Sequence, residues 1–318
     1  MLTDVKGILV GHAQNYEAGT GCTVVLCKGG AVAGVDVRGG APGTRETDLL
    51  APENLVQKVH AIYLSGGSAF GLDGASGVMR FLEENNVGFD VGVTKVPIVP
   101  AAVIFDLNVG DFRIRPDFKM GYEACLNASD GVFATGNVGA GTGATVGKYL
   151  GDQHSMKGGL GTHSIKVGDL IVAGLVVVNC RGDVVDPATG EILAGALNET
   201  KTGFANTMEL IKRDLASKNA FPGNTTIGVV ATNASLTKAQ AKKVASMAHN
   251  GYAMAIRPVH TLVDGDTVFC LSLGKVSADV SIVGALAAEA MAGSIVNAIK
   301  SAAPIYGRPA YKSFAAGK

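Results

Sequence analysis

The chain has 318 residues, 47% hydrophobic and 17% charged, with 27 basic and 27 acidic side chains and a formal net charge of +0. That composition describes a well-buried globular protein that hides further surface in an oligomer, and it gives no electrostatic footing for binding nucleic acid or an anionic membrane. Five cysteines without repeating spacing (Cys22, Cys27, Cys125, Cys180, Cys270) point to reduced thiols and a cytoplasmic location.

Taken in chain order, residues 1–6 show no charged-then-apolar leader. Short runs rich in β-branched residues predict strands over 23–26, 31–37, 61–64, 96–104, 170–178, 226–232 and 267–273. Helical patterns lie between them, over 69–84, 203–217, 237–255 and 281–302. Of these, 237–255 is the clearest, with Thr237 as its cap. The apolar stretch 280–299 carries Glu289 and many small residues, and reads as a buried helix rather than a membrane span. Strands and helices alternate with no long linker, so the class is α/β or α+β, in layers. The polar stretch 198–224 is the expected exposed loop.

Glycine is abundant, at 44 residues, and clusters at Gly39-Gly40, Ser65-Gly66-Gly67-Ser68 and 136–147. The last cluster, running into Lys148, fails the phosphate-loop pattern because Thr142 and Tyr149 occupy its key positions. Gly66-Gly67-Ser68-Ala69-Phe70 half-meets the nucleophile-elbow pattern, and a tight strand-to-helix turn accounts for it better. The six histidines are scattered and neither Cys-x-x-Cys nor His-Glu-x-x-His occurs, so no metal or cofactor is expected.

One tetrapeptide carries chemistry. Gly223-Asn224-Thr225-Thr226 directly precedes Ile227-Gly228-Val229-Val230. It suits an ordinary turn entering a strand, and it equally suits a chain that cuts itself. In the second case Thr225 Oγ attacks the Asn224 carbonyl, and the freed Thr225 amine then serves as base for its own hydroxyl. Such a site needs a cation, oxyanion donors and acids to hold the amine. Lys148 is either a surface lysine or that cation. Asn179, ending the apolar run 170–178, is either a turn former or an oxyanion donor. Asp264 and Asp266 flank Gly265 in either a hairpin turn or an ammonium-binding pair.

In this order the residues resemble the self-processing N-terminal-nucleophile hydrolases of the DmpA type, peptidase family S58. That family includes D- and L-aminopeptidase/esterases, β-peptidyl aminopeptidases and nylon-oligomer (6-aminohexanoate) endohydrolases. The resemblance rests on long blocks: Gly34-Val35-Asp36-Val37-Arg38-Gly39-Gly40-Ala41-Pro42-Gly43-Thr44, Leu64-Ser65-Gly66-Gly67-Ser68-Ala69-Phe70-Gly71-Leu72, Val96-Pro97-Ile98-Val99-Pro100, Gly136-Asn137-Val138-Gly139, and Gly223-Asn224-Thr225-Thr226.

The resemblance implies a layered αββα-like sandwich and cleavage of one domain into 1–224 and 225–318, with assembly into a homotetramer of processed protomers. It implies Thr225 as nucleophile, Lys148 and Asn179 assisting it and binding the oxyanion, and Asp264 and Asp266 supporting the new N-terminus. Phe105, Asn137 and Gly139 would line the oxyanion or substrate pocket, and the substrate would be a small peptide-like amide. Thr225 with the two aspartates is similar to the nylon-oligomer branch. Phe105 stands where the family usually has Tyr, and it offers no hydroxyl donor.

Overall fold

The computed structural model describes residues 1–213 and 223–315. Nine strands form one strongly curved sheet: β1 (Leu9–Asn15), β2 (Thr20–Val37), β3 (Thr44–Arg45), β4 (Lys58–Ser65), β5 (Ala101–Val103), β6 (Gly159–Val167), β7 (Leu170–Asn179), β8 (Thr225–Ala234) and β9 (Thr267–Val276). The helices that matter here are α1 (Gly74–Glu84), α2 (Phe118–Leu126), α3 (Thr207–Arg213), α4 (Lys238–Ala255) and α5 (Val280–Ser301). The strand order is β6-β7-β8-β9-β2-β4-β5-β3, with β1 also on β2.

The sheet folds over on itself, and β2 is the reason. Its first half pairs with β1 and β4, and its second half pairs with β9. Between them the register with β4 shifts, and Gly30 takes a φ of 77° that a side chain would resist. The expected strands 23–26 and 31–37 are therefore one strand carried from one layer to the next.

Period-two alternation then builds three cores between four layers. Val176, Val178, Val230 and Cys270 face α4 and α5. Leu175, Val177, Ile227, Val229 and Phe269 face the other half of the sheet, against Val25, Ile62 and Leu64. Val24, Leu26, Ala61 and Tyr63 face Val78 and Leu82 of α1 and Cys125 of α2. Fully burying each large apolar side chain contributes roughly 1.5–3 kcal/mol, so these three interfaces hold the layers together. The result is an αββα sandwich, as the resemblance implied. All five cysteines are buried and unpaired within it.

Local signals explain the outer helices. Thr237 Oγ accepts from Gln240 N, and Gln240 Oε1 accepts from Thr237 N, closing a capping box at the start of α4. Asp279 caps α5 through Ser281 N and Ile282 N. The two helices pack closely because a Cβ on Gly251 would lie 2.2 Å from Ala288 O. Helix α5 is long and apolar enough to cross a membrane, but its apolar residues pack into the first core.

Some elements differ from expectation. The run 96–104 yields only the two-residue strand Lys95–Val96 and β5, because Pro97 and Pro100 lack the N–H a ladder needs. Residues 69–84 form a 3-10 turn (Ser68–Asp73) and then α1. The helix expected over 203–217 is α3 among the described residues, and residues 214–217 lie outside them.

The position of the site follows from the topology. Strands β8 and β9 are parallel and joined through α4, so both start at the same edge of the sheet. Strand β7 is antiparallel to β8 and ends at that edge, with Asn179 directly opposite Thr225.

Candidate active site

Thr225 shares its face of β8 with Ile227 and Val229, so its side chain points between the two sheet layers. It is 5% exposed. Its hydroxyl lies 2.5 Å from the carbonyl oxygen of Asn224 and donates to it. The same oxygen accepts the Gly265 N–H at 2.8 Å. Two donors therefore converge on the carbonyl of the Asn224–Thr225 peptide, and one of them is the expected nucleophile.

Gly265 owes its place to the parallel bridge between Asn224 and Asp264. A Cβ on Gly265 would sit 2.7 Å from Thr225 Oγ and 2.8 Å from Ala41 O, so a side chain would have to push the hydroxyl aside. Sequence reasoning saw Gly265 only as the centre of a turn. The signal available was a glycine between two acids.

The acids brace this edge. Asp266 Oδ1 accepts Thr226 N–H at 2.7 Å. Its Oδ2 accepts His260 N–H at 3.0 Å and lies 2.9 Å from His260 Nδ1. Asp264 Oδ2 accepts from the Thr261 N–H at 3.1 Å and from the Thr261 hydroxyl. Burial pushes the Asp264 carboxyl up, and nearby Asp266 adds to the effect. The segment is thus a parallel extension of the sheet edge rather than a hairpin turn.

Lys148 and Asn179 sit one carbonyl upstream. Lys148 Nζ donates to Asn179 O at 3.0 Å, to Asn179 Oδ1 at 3.0 Å and to Gly223 O at 3.1 Å. Asn179 Nδ2 donates to Phe105 O at 3.1 Å and reaches Gly223 O at 3.4 Å. Thr145 N fixes the Asn179 amide by donating to its oxygen at 2.9 Å. Burial of the Lys148 ammonium pulls its pKa down to about 8. The expectation that this pair binds the oxyanion is therefore corrected for the uncut chain. Their donors meet the Gly223 carbonyl, while Gly265 and Thr225 meet the Asn224 carbonyl.

Two cavities flank the segment, and Gly223 and Asn224 line both. One, of about 180 Å³, is lined by Pro42, Ser68, Val103, Phe105, Thr225 and Val263 among others. The second, of about 350 Å³, is more charged, with Asn108, Lys148, Asp152 and Arg181. Phe105 does reach the site, through its carbonyl to Asn179 and as a wall of the first cavity.

Asn137 and Gly139 do not join it. The Asn137 side chain exchanges hydrogen bonds with the Ala303 backbone at 2.8 and 3.0 Å, tying down the chain after α5. Gly139 N donates to Gln14 Oε1, and a Cβ there would meet Thr23 Oγ at 2.2 Å. Neither lines either cavity.

Ser68 enters the site unforeseen. Gly67 and Ser68 take φ of 80° and 52°, making the tight turn between β4 and the 3-10 segment. Asp106 holds that turn by accepting Gly67 N–H at 2.6 Å and the Thr20 hydroxyl at 2.8 Å, and burial raises its carboxyl to about 6. Among the described residues no group of three or more His, Cys, Asp or Glu side chains could hold a metal ion.

Thr225 thus opens a strand of an αββα sandwich with its hydroxyl against its own preceding carbonyl. The model for peptidase family S58 matches residues 1–312, and the chain belongs to that family. It is 44% identical over 346 residues to an uncharacterized aminopeptidase of Mycobacterium tuberculosis, covering 99% of this chain and 98% of that protein. It is 31% identical over 314 residues to a 6-aminohexanoate-oligomer endohydrolase of Kocuria sp., covering 93% of this chain and 85% of that one. Among solved structures, the L-aminopeptidase D-Ala-esterase/amidase of Ochrobactrum anthropi, described as a variant of the Ntn hydrolase fold, superposes with a TM-score of 0.72. That match has 17% identity and covers 95% of this chain and 86% of that chain.

Proposed function

We propose that this protein is a self-processing amide hydrolase whose nucleophile is Thr225. The observation that carries the reading is the Thr225 hydroxyl, 2.5 Å from the carbonyl oxygen of its own preceding residue, with the Gly265 N–H on the same oxygen. Thr225 Oγ attacks the Asn224 carbonyl carbon as its proton leaves. The tetrahedral oxygen takes the Gly265 N–H, the C–N bond breaks with a proton passing to the nitrogen, and Asn224 is left as an ester on Oγ. Water hydrolyses the ester and frees residues 1–224 and 225–318.

The new Thr225 amine, with an ordinary α-amino pKa near 8, then acts as base for its own hydroxyl toward a substrate amide. In this reading Asp264 and Asp266, at the same sheet edge, hold that amine when it is charged, and the Asn224–Asp264 bridge and the Thr226 N–H to Asp266 bond support it. The family and its named relatives support amide or peptide bonds as the substrate class. The same reading carries a cytoplasmic homotetramer of processed protomers and needs no cofactor. Phe105 supplies no side-chain donor in the cavity, which favours slow turnover as the second reading, with Gly265 left to carry oxyanion stabilisation.

The test is acyl-enzyme trapping. Purified protein is mixed with a p-nitrophenyl ester and the mass of each fragment is measured. The reading expects one acyl group on 225–318 and none in Thr225→Ala. Labelling equal in both proteins would reject Thr225 as nucleophile.

A further inference from the structure

His260 reaches one oxygen of Asp266 twice, through its backbone N–H at 3.0 Å and its ring Nδ1 at 2.9 Å. A carboxylate oxygen accepts, so the ring proton sits on Nδ1. Among the described residues Nε2 has no hydrogen-bond partner, and Asp266 is the ring's one polar contact. The other oxygen of Asp266 accepts Thr226 N–H at 2.7 Å, one residue beyond the proposed nucleophile.

Two features fix that ring. His260 has a φ of 58°, in the left-handed region that glycine and asparagine enter more easily than other residues. Strained backbone of this kind persists where its surroundings over-determine it, and it clusters at active sites. Helix α4 also cages the ring. His249 meets it edge-on with centroids 4.7 Å apart, and Tyr252 stacks on it at 6.0 Å. Tyr252 is buried, and His249 is itself anchored by donating Nε2–H to Asp36 O at 3.0 Å.

Asp266 is buried beside Asp264, a second buried acid. Two such carboxylates repel, and burial opposes charge on either unless hydrogen-bond donors are aimed at it. The supply of donors is unequal. Three N–H groups meet Asp266, where one N–H and one hydroxyl meet Asp264. Loss of the ring leaves Asp266 Oδ2 with the His260 backbone N–H, and loosens the carboxylate that holds Thr226.

We propose, resting on the hydrolase reading above, that His260 is a positioning residue: its Nδ1–H fixes the Asp266 carboxylate, which in turn sets the Thr225–Thr226 backbone for attack. His260 lines neither cavity beside Thr225, so it touches no substrate there. Its removal therefore slows acylation without weakening binding.

The test compares His260→Gly and His260→Asn in fully cut protein. Glycine relieves the backbone and keeps the N–H, but removes the ring donor. Asparagine tolerates the same φ and puts an amide N–H close to the place of Nδ1–H. First-turnover release of p-nitrophenolate from p-nitrophenyl acetate, followed across ester concentrations, gives an acylation rate and a half-saturating concentration. His260→Gly is expected to lower the rate about ten- to a hundredfold, the worth of a hydrogen bond to a charged group, with half-saturation unchanged. His260→Asn is expected to recover most of the loss. A wild-type rate in His260→Gly overturns the positioning role and leaves the hydrolase intact. Equal slowing in both variants does the same, because ring packing rather than the donor is then at work. Should the glycine variant fail to fold, His260→Gln keeps the bulk but carries its amide one bond too far, and the same outcomes decide. A wild-type protein that releases no p-nitrophenolate removes the hydrolase reading, and the role of His260 with it.

Discussion

Two glycine-rich segments lie beside strand ends in this molecule, and they differ in where their polar groups point. In the loop over 136–147, those groups serve the scaffold. Gly136 exchanges backbone hydrogen bonds with Leu160, Gly139 N meets Gln14, and buried Lys157 donates to Thr142 O and Ala144 O. At the edge formed by 223–226 and 264–266, a hydroxyl and an N–H converge on one peptide carbonyl, and a cation grips the carbonyl before it. Both segments use glycine for close backbone approach. Convergence of donors on a single carbonyl separates the reactive edge from the structural loop.

The largest effect that could break this comparison is at Thr225. Thr225→Ala is expected to abolish cleavage, while Thr225→Ser keeps a hydroxyl and should still cut, as read by gel mobility over days. Next comes Gly265→Ala. Its Cβ would meet Thr225 Oγ at 2.7 Å and displace the hydroxyl from the carbonyl. Processing should slow on the order of a hundredfold, the scale of disturbing one oxyanion contact, with the circular dichroism spectrum unchanged. Cleavage at the wild-type rate would show that the converging donors are incidental.

A third prediction concerns pH. Burial lowers Lys157 to about 7 and Lys148 to about 8, from the ordinary 10.5. Below pH 7 both are charged and the cost of burying them is fully present. As pH climbs from 7 toward 10.5, the unfolded chain binds protons that the folded chain has released, so stability rises. Urea midpoints across that range should increase, and Lys157→Met should flatten the slope. The smallest effect is expected at Asn137. Asn137→Ala removes two hydrogen bonds to Ala303 and should cost about 1–2 kcal/mol of stability, with no change in processing rate. A processing defect there would return Asn137 to the site.

Much of this was legible in the sequence, for physical reasons. Alternating β-branched runs gave most of the long strands, and Thr237 marked α4 because its cap is local chemistry. Strands β1 and β6 and helix α2 went unseen. Gly-Leu-Gly-Thr-His-Ser in β6 is too rich in glycine and polar residues to read as a strand, and only pairing with β7 settles it. Thr225, Lys148, Asn179, Asp264 and Asp266 were each identifiable by type, and the fold brings them to one edge. Their division of labour was not legible. Which carbonyl Lys148 reaches depends on the register of β7 against β8, and the Gly265 N–H is a backbone group with no side chain to announce it. Asn137 and Gly139 were misplaced because a glycine loop looks alike whether it holds a substrate or a helix end.

The central claim is that the Asn224–Thr225 bond is cut and Thr225 becomes an N-terminus. N-terminal sequencing of the purified wild-type protein, after separation of its fragments, tests it directly. The account expects two chains, one beginning Met-Leu-Thr-Asp and the other Thr-Thr-Ile-Gly-Val. A single chain that begins at Met1 and keeps its full mass on prolonged incubation would contradict it.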